Sequence, residues 1–185
     1  MSKYLVLLIT GFLYFSCAIN GNFKGLYSYY ESTKNQIPNN FITYKSKVSY
    51  KTEEYSSPKT CIINGKELLE VLDKYENTIV YIWKPNCKSQ ICVPIEIVEN
   101  ICITNDYNLF VVSEYYDSNA MNVLYRTRNI LFAINTEYYN SNLTKIYLNN
   151  FFSDLNVNVK SNDQFYLFKK NIFKSAYLSI DEIEF

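Results

Sequence analysis

Residues 79–92 read IVYIWKPNCKSQIC, and this stretch decides how the fold of the chain is interpreted. Its first five residues are apolar and rich in β-branched and aromatic side chains, which is typical of a central strand covered on both faces. Pro85 follows the run, and Cys87 and Cys92 come after it in a CxxxxC spacing. The sequence therefore predicts a buried strand that leads directly into a pair of cysteines.

Predicted helices and strands alternate on both sides of this strand. Upstream, we expect a short strand at 59–63 and then a helix with Asn64 as its N-cap, where Glu67 completes a capping box. Further strands are predicted at 109–112, 130–134, 164–169 and 172–178, and further helices over 91–102, 118–128 and 143–155. This order predicts an α/β fold with a mostly parallel central sheet, helices on both faces and a C-terminal antiparallel hairpin around Lys170-Asn171.

The order of these elements, with Trp83 at the end of a central strand and Cys87 just beyond it, resembles the thioredoxin-like superfamily. The matching stretch is VYIWKPNC at 80–87, and FYLFKKN at 165–171 is similar to the fourth strand of the family and its turn. The resemblance implies a thioredoxin-like domain over residues 59–185. In that family a redox cysteine opens the helix that follows the central strand.

The resemblance also implies roles in thiol–disulfide exchange. Cys87 would be the attacking thiolate and Cys92 the resolving partner, while Trp83 and Pro85 would shape the rim of the site. A thiol at a helix N-terminus is favoured as thiolate by free backbone N–H groups and the positive dipole end, and Lys84 would add to that effect.

Three features of the chain depart from the thioredoxin pattern. The cysteine spacing is CxxxxC in place of CxxC, the buried acid behind the cysteines has no clear match, and the chain has no proline after Pro94. Asp163 stands about where the family carries a cis-proline. CxxxxC also occurs in some two-cysteine peroxiredoxins, but Val80 and Lys84 stand where that pattern requires Pro and Thr or Ser. A structural disulfide that closes a loop and a pair of unbonded thiols are therefore the alternatives to a redox pair.

The helical geometry restricts how Cys87 and Cys92 can meet. Five residues of an ideal helix rise about 7.5 Å, more than the roughly 4.4–6.8 Å between the Cα atoms of a disulfide. The two cysteines therefore cannot bridge within one regular helix. Either the helix begins near Val93 and Pro94, so that 87–92 is a loop, or Pro94 kinks a helix that has already begun.

Two acids and two further cysteines complete the candidate chemistry. Glu114 and Asp117 come just beyond the strand at 109–112, where sites of α/β proteins often lie. Cys102 lies on an apolar helix face, which is typical of a small buried residue. Cys61 lies near the end of the first strand, and a Cys61–Cys102 bridge is left open.

Composition excludes several classes of function. The 185 residues carry 18 basic and 18 acidic side chains and no histidine. A net charge of zero argues against a nucleic-acid-binding protein, and the lack of histidine removes Ser-His-Asp catalysis and most transition-metal sites. With four glycines and no phosphate-binding motif, we expect no cofactor and no metal.

The N-terminus predicts export. A basic start is followed by an apolar run from Tyr4 to Phe15, which is too short to span a bilayer, and then by Ser16-Cys17. This pattern resembles a bacterial lipoprotein signal, residues 1–17, with Cys17 as the acylated residue; an ordinary secretory signal cleaved near Ser16 or Ala18 is the alternative. Residues 18–58 are interpreted as a spacer or irregular extension.

Together these features predict a lipid-anchored protein of the bacterial cell envelope that faces the periplasm. Its expected partners are protein thiols or a membrane-bound redox donor, and the membrane through the lipid anchor. The alternative is a non-catalytic thioredoxin-fold binding module whose disulfide is structural.

Overall fold

A computed structural model describes residues 25–46, 48–87, 89, 92–123, 127–158 and 163–185. The helices are α1 (Tyr30–Gln36), α2 (Gly65–Leu72), α3 (Ile95–Thr104), α4 (Ser118–Met121) and α5 (Thr144–Asp154). The strands are β1 (Phe41–Thr43), β2 (Thr60–Ile63), β3 (Asn77–Trp83), β4 (Asn108–Ser113), β5 (Leu131–Ile134), β6 (Phe165–Lys169) and β7 (Ile172–Tyr177). Single 3-10 turns occur at Pro38–Asn40, Thr52–Glu54 and Ile180–Glu182.

The strands form one seven-stranded sheet in the order β1-β2-β5-β4-β3-β6-β7. The first five strands in this order, β1-β2-β5-β4-β3, are parallel. The β6 strand runs antiparallel to β3 and pairs with β7 in the C-terminal hairpin. The predicted α/β class, with a mostly parallel sheet and a closing hairpin, is confirmed. Because β3 and β4 are parallel neighbours, their carboxyl ends lie side by side at one edge of the sheet.

The helices cover both faces of the sheet, and each face has its own core. Residues of α2 and α5 pack on one face around buried side chains such as Val80, Phe110 and Phe132. Residues of α1, α3 and α4 pack on the other face around Ile79 and Val111. The β3 strand is thus buried on both sides, as its continuous apolar sequence predicts.

The capping box of Asn64 and Glu67 that the sequence predicts is present at the start of α2. The Asn64 side chain accepts a hydrogen bond from the Glu67 backbone, and the Glu67 carboxylate accepts one from the Asn64 backbone. The helix predicted for 118–128 is shorter than expected, because α4 ends at Met121 and Asn122 is its C-cap. Asparagine competes for backbone hydrogen bonds and favours such helix ends. Residues 124–126, which the prediction included, lie outside the described residues.

The described part of the predicted spacer is packed onto the domain. Within 25–58, Phe41–Thr43 forms β1 and pairs in parallel with β2, and α1 buries Tyr30. Tyr50 is buried in the core on the opposite face. This differs from the interpretation of 18–58 as a spacer or irregular extension, because the packed aromatic residues there follow no helical or strand periodicity that the sequence reveals.

Candidate functional site

The candidate site is the loop that follows β3. Cys87 and Cys92 form a disulfide, with 6.0 Å between their Cα atoms, and both residues are half-buried. Pro94 is the N-cap of α3, so the bridge closes a loop in front of the helix. Of the two alternatives for Pro94, the structure has the one in which the helix begins after the cysteines.

The prediction that Cys87 lies at the N-terminus of the following helix is wrong. Because α3 begins at Ile95, Cys87 does not open the helix, and Cys92 is the nearer of the two cysteines to the N-cap. Helix-dipole stabilisation falls off within the first turn, so it does not favour a Cys87 thiolate.

A serine between the two cysteines contacts both sulfurs. The Oγ of Ser89 lies 3.5 Å from the Sγ of Cys87 and 3.5 Å from the Sγ of Cys92. A hydroxyl at this position can donate a hydrogen bond to whichever sulfur carries negative charge after reduction. Sequence reasoning missed Ser89, since its proximity depends on the loop conformation.

The residues after β4 fix the first part of the loop. The Lys84 ammonium lies 3.4 Å from the Glu114 carboxylate, and the Asn86 amide donates a hydrogen bond of 2.7 Å to Asp117. The Tyr115 hydroxyl donates to the backbone carbonyl of Pro85. These contacts follow from topology, since parallel neighbours β3 and β4 both end at this edge.

The expected rim residues have different environments. Trp83 is half-buried and packs against the core on the α3 face. Pro85 is buried, and Lys84 is engaged with Glu114. Trp83 and Lys84 are thus partly accessible to a substrate, whereas Pro85 is not. That these residues form the rim of a substrate site stays a prediction.

Glu114 is the most buried charge at the site. Its side chain is 12% exposed, and burial raises its pKa, an effect that the nearby Lys84 ammonium partly offsets. Asp117 also N-caps α4 by accepting a hydrogen bond from the Ala120 backbone. The sequence pointed to both acids from their place beyond β4 but gave no partner for either.

The remaining described cysteines are free. Cys61 is buried in the core on the α2 and α5 face, and Cys102 is buried in the core on the α3 face. The bridge between them that the sequence left open is absent, because the sheet separates the two side chains. Cys102 is a small buried residue, as its helix pattern predicts.

Further features bear on the expected function. Cys17 and the signal stretch lie outside the described residues. Across the described ranges, no helix has the length and apolar character needed to cross a membrane, and no cluster of three or more metal-ligating side chains occurs. Comparison of the chain with protein-family models, with curated proteins and with solved structures found no match.

Proposed function

We propose that this protein carries out thiol–disulfide exchange through Cys87 and Cys92, as an exported, membrane-anchored protein with a thioredoxin-like domain. The observation that carries the proposal is the half-buried Cys87–Cys92 disulfide, which follows a central buried strand at the carboxyl edge of the sheet. Structural disulfides can be fully buried, whereas an exchange catalyst must expose a sulfur to its partner. The residues that lead into Cys87 are also held, through the contacts of Lys84, Pro85 and Asn86 with residues that follow β4.

Exchange can run in either direction: the Cys87–Cys92 disulfide can oxidise client thiols, or the reduced pair can reduce a client disulfide. In the reducing direction, the reaction begins from the reduced pair. The Cys87 thiolate attacks one sulfur of a client disulfide, and the other client sulfur leaves as a thiolate. The Cys92 thiolate then attacks the Cys87 sulfur of the mixed disulfide and releases the second client thiol. The client gains two electrons, and Cys87–Cys92 becomes oxidised. A dithiol donor at the membrane reduces the pair again by the reverse exchange.

The test is the reduction potential of the Cys87–Cys92 bond. The full chain would be equilibrated in a glutathione series, its thiols trapped, and the Cys87 and Cys92 peptides quantified by mass spectrometry. We expect a potential between about −120 and −270 mV, the range of exchange catalysts. A bond below about −300 mV would identify a structural disulfide and overturn the redox proposal.

Trapping of mixed disulfides tests the roles of the two cysteines. We expect Cys92→Ser to accumulate a mixed disulfide at Cys87 with a model client that carries a disulfide, because the resolving thiol is missing. Cys87→Ser is the matched control and should trap no client. Accumulation only in Cys87→Ser would assign the attack to Cys92, the cysteine nearer to the N-cap of α3.

The alternative function is a binding module whose disulfide is structural. It is favoured by the contacts that brace the loop and by the position of Cys87 away from the helix terminus. In that case, reduction of the disulfide should lower the free energy of unfolding by about 2–4 kcal/mol. The two thiols that it produces should not exchange with a client disulfide.

The anchor is part of the proposal and has its own test. We expect the full chain to fractionate with membranes and to partition into the detergent phase, because acyl chains at Cys17 would hold it there. Cys17→Ala should move the protein out of both fractions. Unchanged fractionation of this variant would show that Cys17 is not an anchor.

A further inference from the structure

A cavity of about 320 Å³ lies between the carboxyl edge of the sheet and α5. Ile82 and Lys84 at the end of β3 and Glu114 beyond β4 form its sheet side. Ligands of α/β proteins commonly bind outside the carboxyl ends of parallel strands, and this volume lies within the range of small-molecule sites. The cavity thus has both the place and the size of a ligand site.

One face of α5 forms the opposite wall. Lys145, Leu148, Asn149 and Phe152 line the cavity, and their i, i+3, i+4 and i+7 spacing places them on a single side of the helix. This wall therefore combines a lysine and an amide with two apolar side chains. Asp163, which precedes β6, and Tyr166 of β6 also line the cavity.

A hydrogen bond joins α5 to the backbone of Glu114. The backbone carbonyl of Glu114 accepts a hydrogen bond of 2.6 Å from the hydroxyl of Tyr147, a fully buried residue of α5. The same hydroxyl lies 3.1 Å from the Oγ1 of Thr144, which also lines the cavity. The sheet edge and α5 are thereby fixed relative to each other, so the cavity has a preformed shape.

The charges in the cavity are of both signs. Glu114 and Asp163 are acidic, and Lys84 and Lys145 are basic. The Lys84–Glu114 distance of 3.4 Å is longer than the roughly 2.7–2.9 Å of a strong charged hydrogen bond. The Glu114 carboxylate therefore retains the capacity to accept a hydrogen bond from a ligand.

We propose that this cavity binds a small zwitterion with an apolar body, namely a free α-amino acid with an aliphatic side chain. The ammonium of the ligand would contact Glu114, its carboxylate would contact Lys145, and its side chain would lie against Leu148 and Phe152. A ligand with only a negative charge would be repelled by the carboxylates of Glu114 and Asp163, and a ligand with only a positive charge would be repelled by the two lysines. The cavity shares Lys84 and Glu114 with the loop after β3, but neither cysteine lines it, so ligand binding does not require the redox reaction.

The test is isothermal titration of the full chain in detergent with L-leucine. Two analogues isolate the charges: 4-methylpentanoate lacks the ammonium, and 3-methylbutylamine lacks the carboxylate. We expect one leucine to bind per chain, and each analogue to bind at least about tenfold more weakly, the effect of one lost charged hydrogen bond.

Variants assign the site. Glu114→Gln and Lys145→Met should each weaken leucine binding by about tenfold or more. Lys145 is exposed, so its variant tests the site even if Glu114→Gln disturbs folding. Glu96→Gln is the matched control, because Glu96 is exposed on α3, across the sheet, and should leave binding unchanged.

The proposal is overturned by any of three results. These are leucine binding weaker than about 10 mM, equal binding of leucine and either analogue, and unchanged binding in Lys145→Met.

Discussion

At the scale of single residues, the two free cysteines are protected by burial. Cys61 and Cys102 are fully buried, and burial raises the pKa of each thiol to about 12. A thiol with such a pKa is not a thiolate at neutral pH and does not react. Of the four described cysteines, Cys61 and Cys102 are therefore unsuited to thiol chemistry, and Cys87 and Cys92 are the candidates for it.

This burial predicts the order in which thiols become available. In the full chain with Cys17→Ala, we expect a thiol reagent to label no cysteine of the native oxidised protein. Denaturant should expose Cys61 and Cys102, and reduction in denaturant should expose all remaining cysteines. Mass spectrometry of labelled peptides is the measurement, and rapid native labelling of Cys61 or Cys102 would contradict the prediction.

Glu99 predicts a pH dependence of stability. This residue of α3 is 2% exposed, and its carboxylate accepts a 2.7 Å hydrogen bond from the Arg128 backbone. Burial raises its pKa above the ordinary value of 4.5, although the contacts with Arg128 and Lys51 partly offset this. The stabilisation from the neutral form is present below the unfolded-state pKa and is lost as the pH rises through the folded-state pKa.

We therefore expect Glu99→Gln to be more stable than the natural chain at pH 7 and to have lost this pH dependence. The glutamine carbonyl can still accept the hydrogen bond from Arg128. Urea unfolding at pH 4 and pH 7 is the measurement, with exposed Glu96→Gln on the same helix as the control. Equal stability differences at the two pH values would contradict this account.

At the scale of elements, α2 depends on its first turn. The reciprocal hydrogen bonds between Asn64 and Glu67, each 2.9 Å long, satisfy backbone groups at the helix start. We expect Asn64→Ala to lower the free energy of unfolding by about 1 kcal/mol in urea titration. Exposed Lys66→Ala in the same turn is the control, and an unchanged midpoint in Asn64→Ala would show that the cap contributes nothing.

Close packing of α2 against α5 sets a second requirement. A Cβ on Gly65 would lie 2.6 Å from the backbone oxygen of Phe151 and 2.6 Å from the Cβ of Asp154. Because a backbone atom cannot rotate away, we expect Gly65→Ala to cost about 1–3 kcal/mol of stability. Thermal unfolding compared with Lys66→Ala measures this, and a neutral Gly65→Ala would mean that the helices separate easily.

At the scale of the whole molecule, the N-terminal segment is part of the folded domain. Tyr30 is 5% exposed, and its ring packs edge-on against that of Tyr116, with 5.0 Å between centroids. Phe41 of the edge strand also contacts this pair. Tyr30 and Phe41 therefore pack on the α3 face of the sheet, whereas Ile42 and Tyr44 pack on the opposite face.

A matched pair of tyrosines tests this role. We expect Tyr30→Ala to lower the free energy of unfolding by about 3 kcal/mol, the cost of truncating a buried aromatic ring. Tyr27→Ala, in the same segment but 40% exposed, should change it by less than about 0.5 kcal/mol. Equal effects of the two substitutions would restore the interpretation of this segment as a spacer.

Most helices and strands, and the α/β class, can be predicted from the amino-acid sequence. Apolar runs, helical spacing and the Asn64 cap are local signals, so β2 to β7 and the helices α2, α3 and α5 lie close to their predicted positions. The CxxxxC spacing also determined that any bridge between Cys87 and Cys92 must close a loop outside a regular helix.

The strand order, the separation of Cys61 from Cys102 and the contacts around the disulfide are visible only in the folded structure. No short-range sequence pattern predicts that β5 lies between β2 and β4. None predicts the ion pair between Lys84 and Glu114 either. These features join residues that are distant in the chain. Their energy comes from burial against partners that local periodicity does not specify, so they appear only when the sheet assembles.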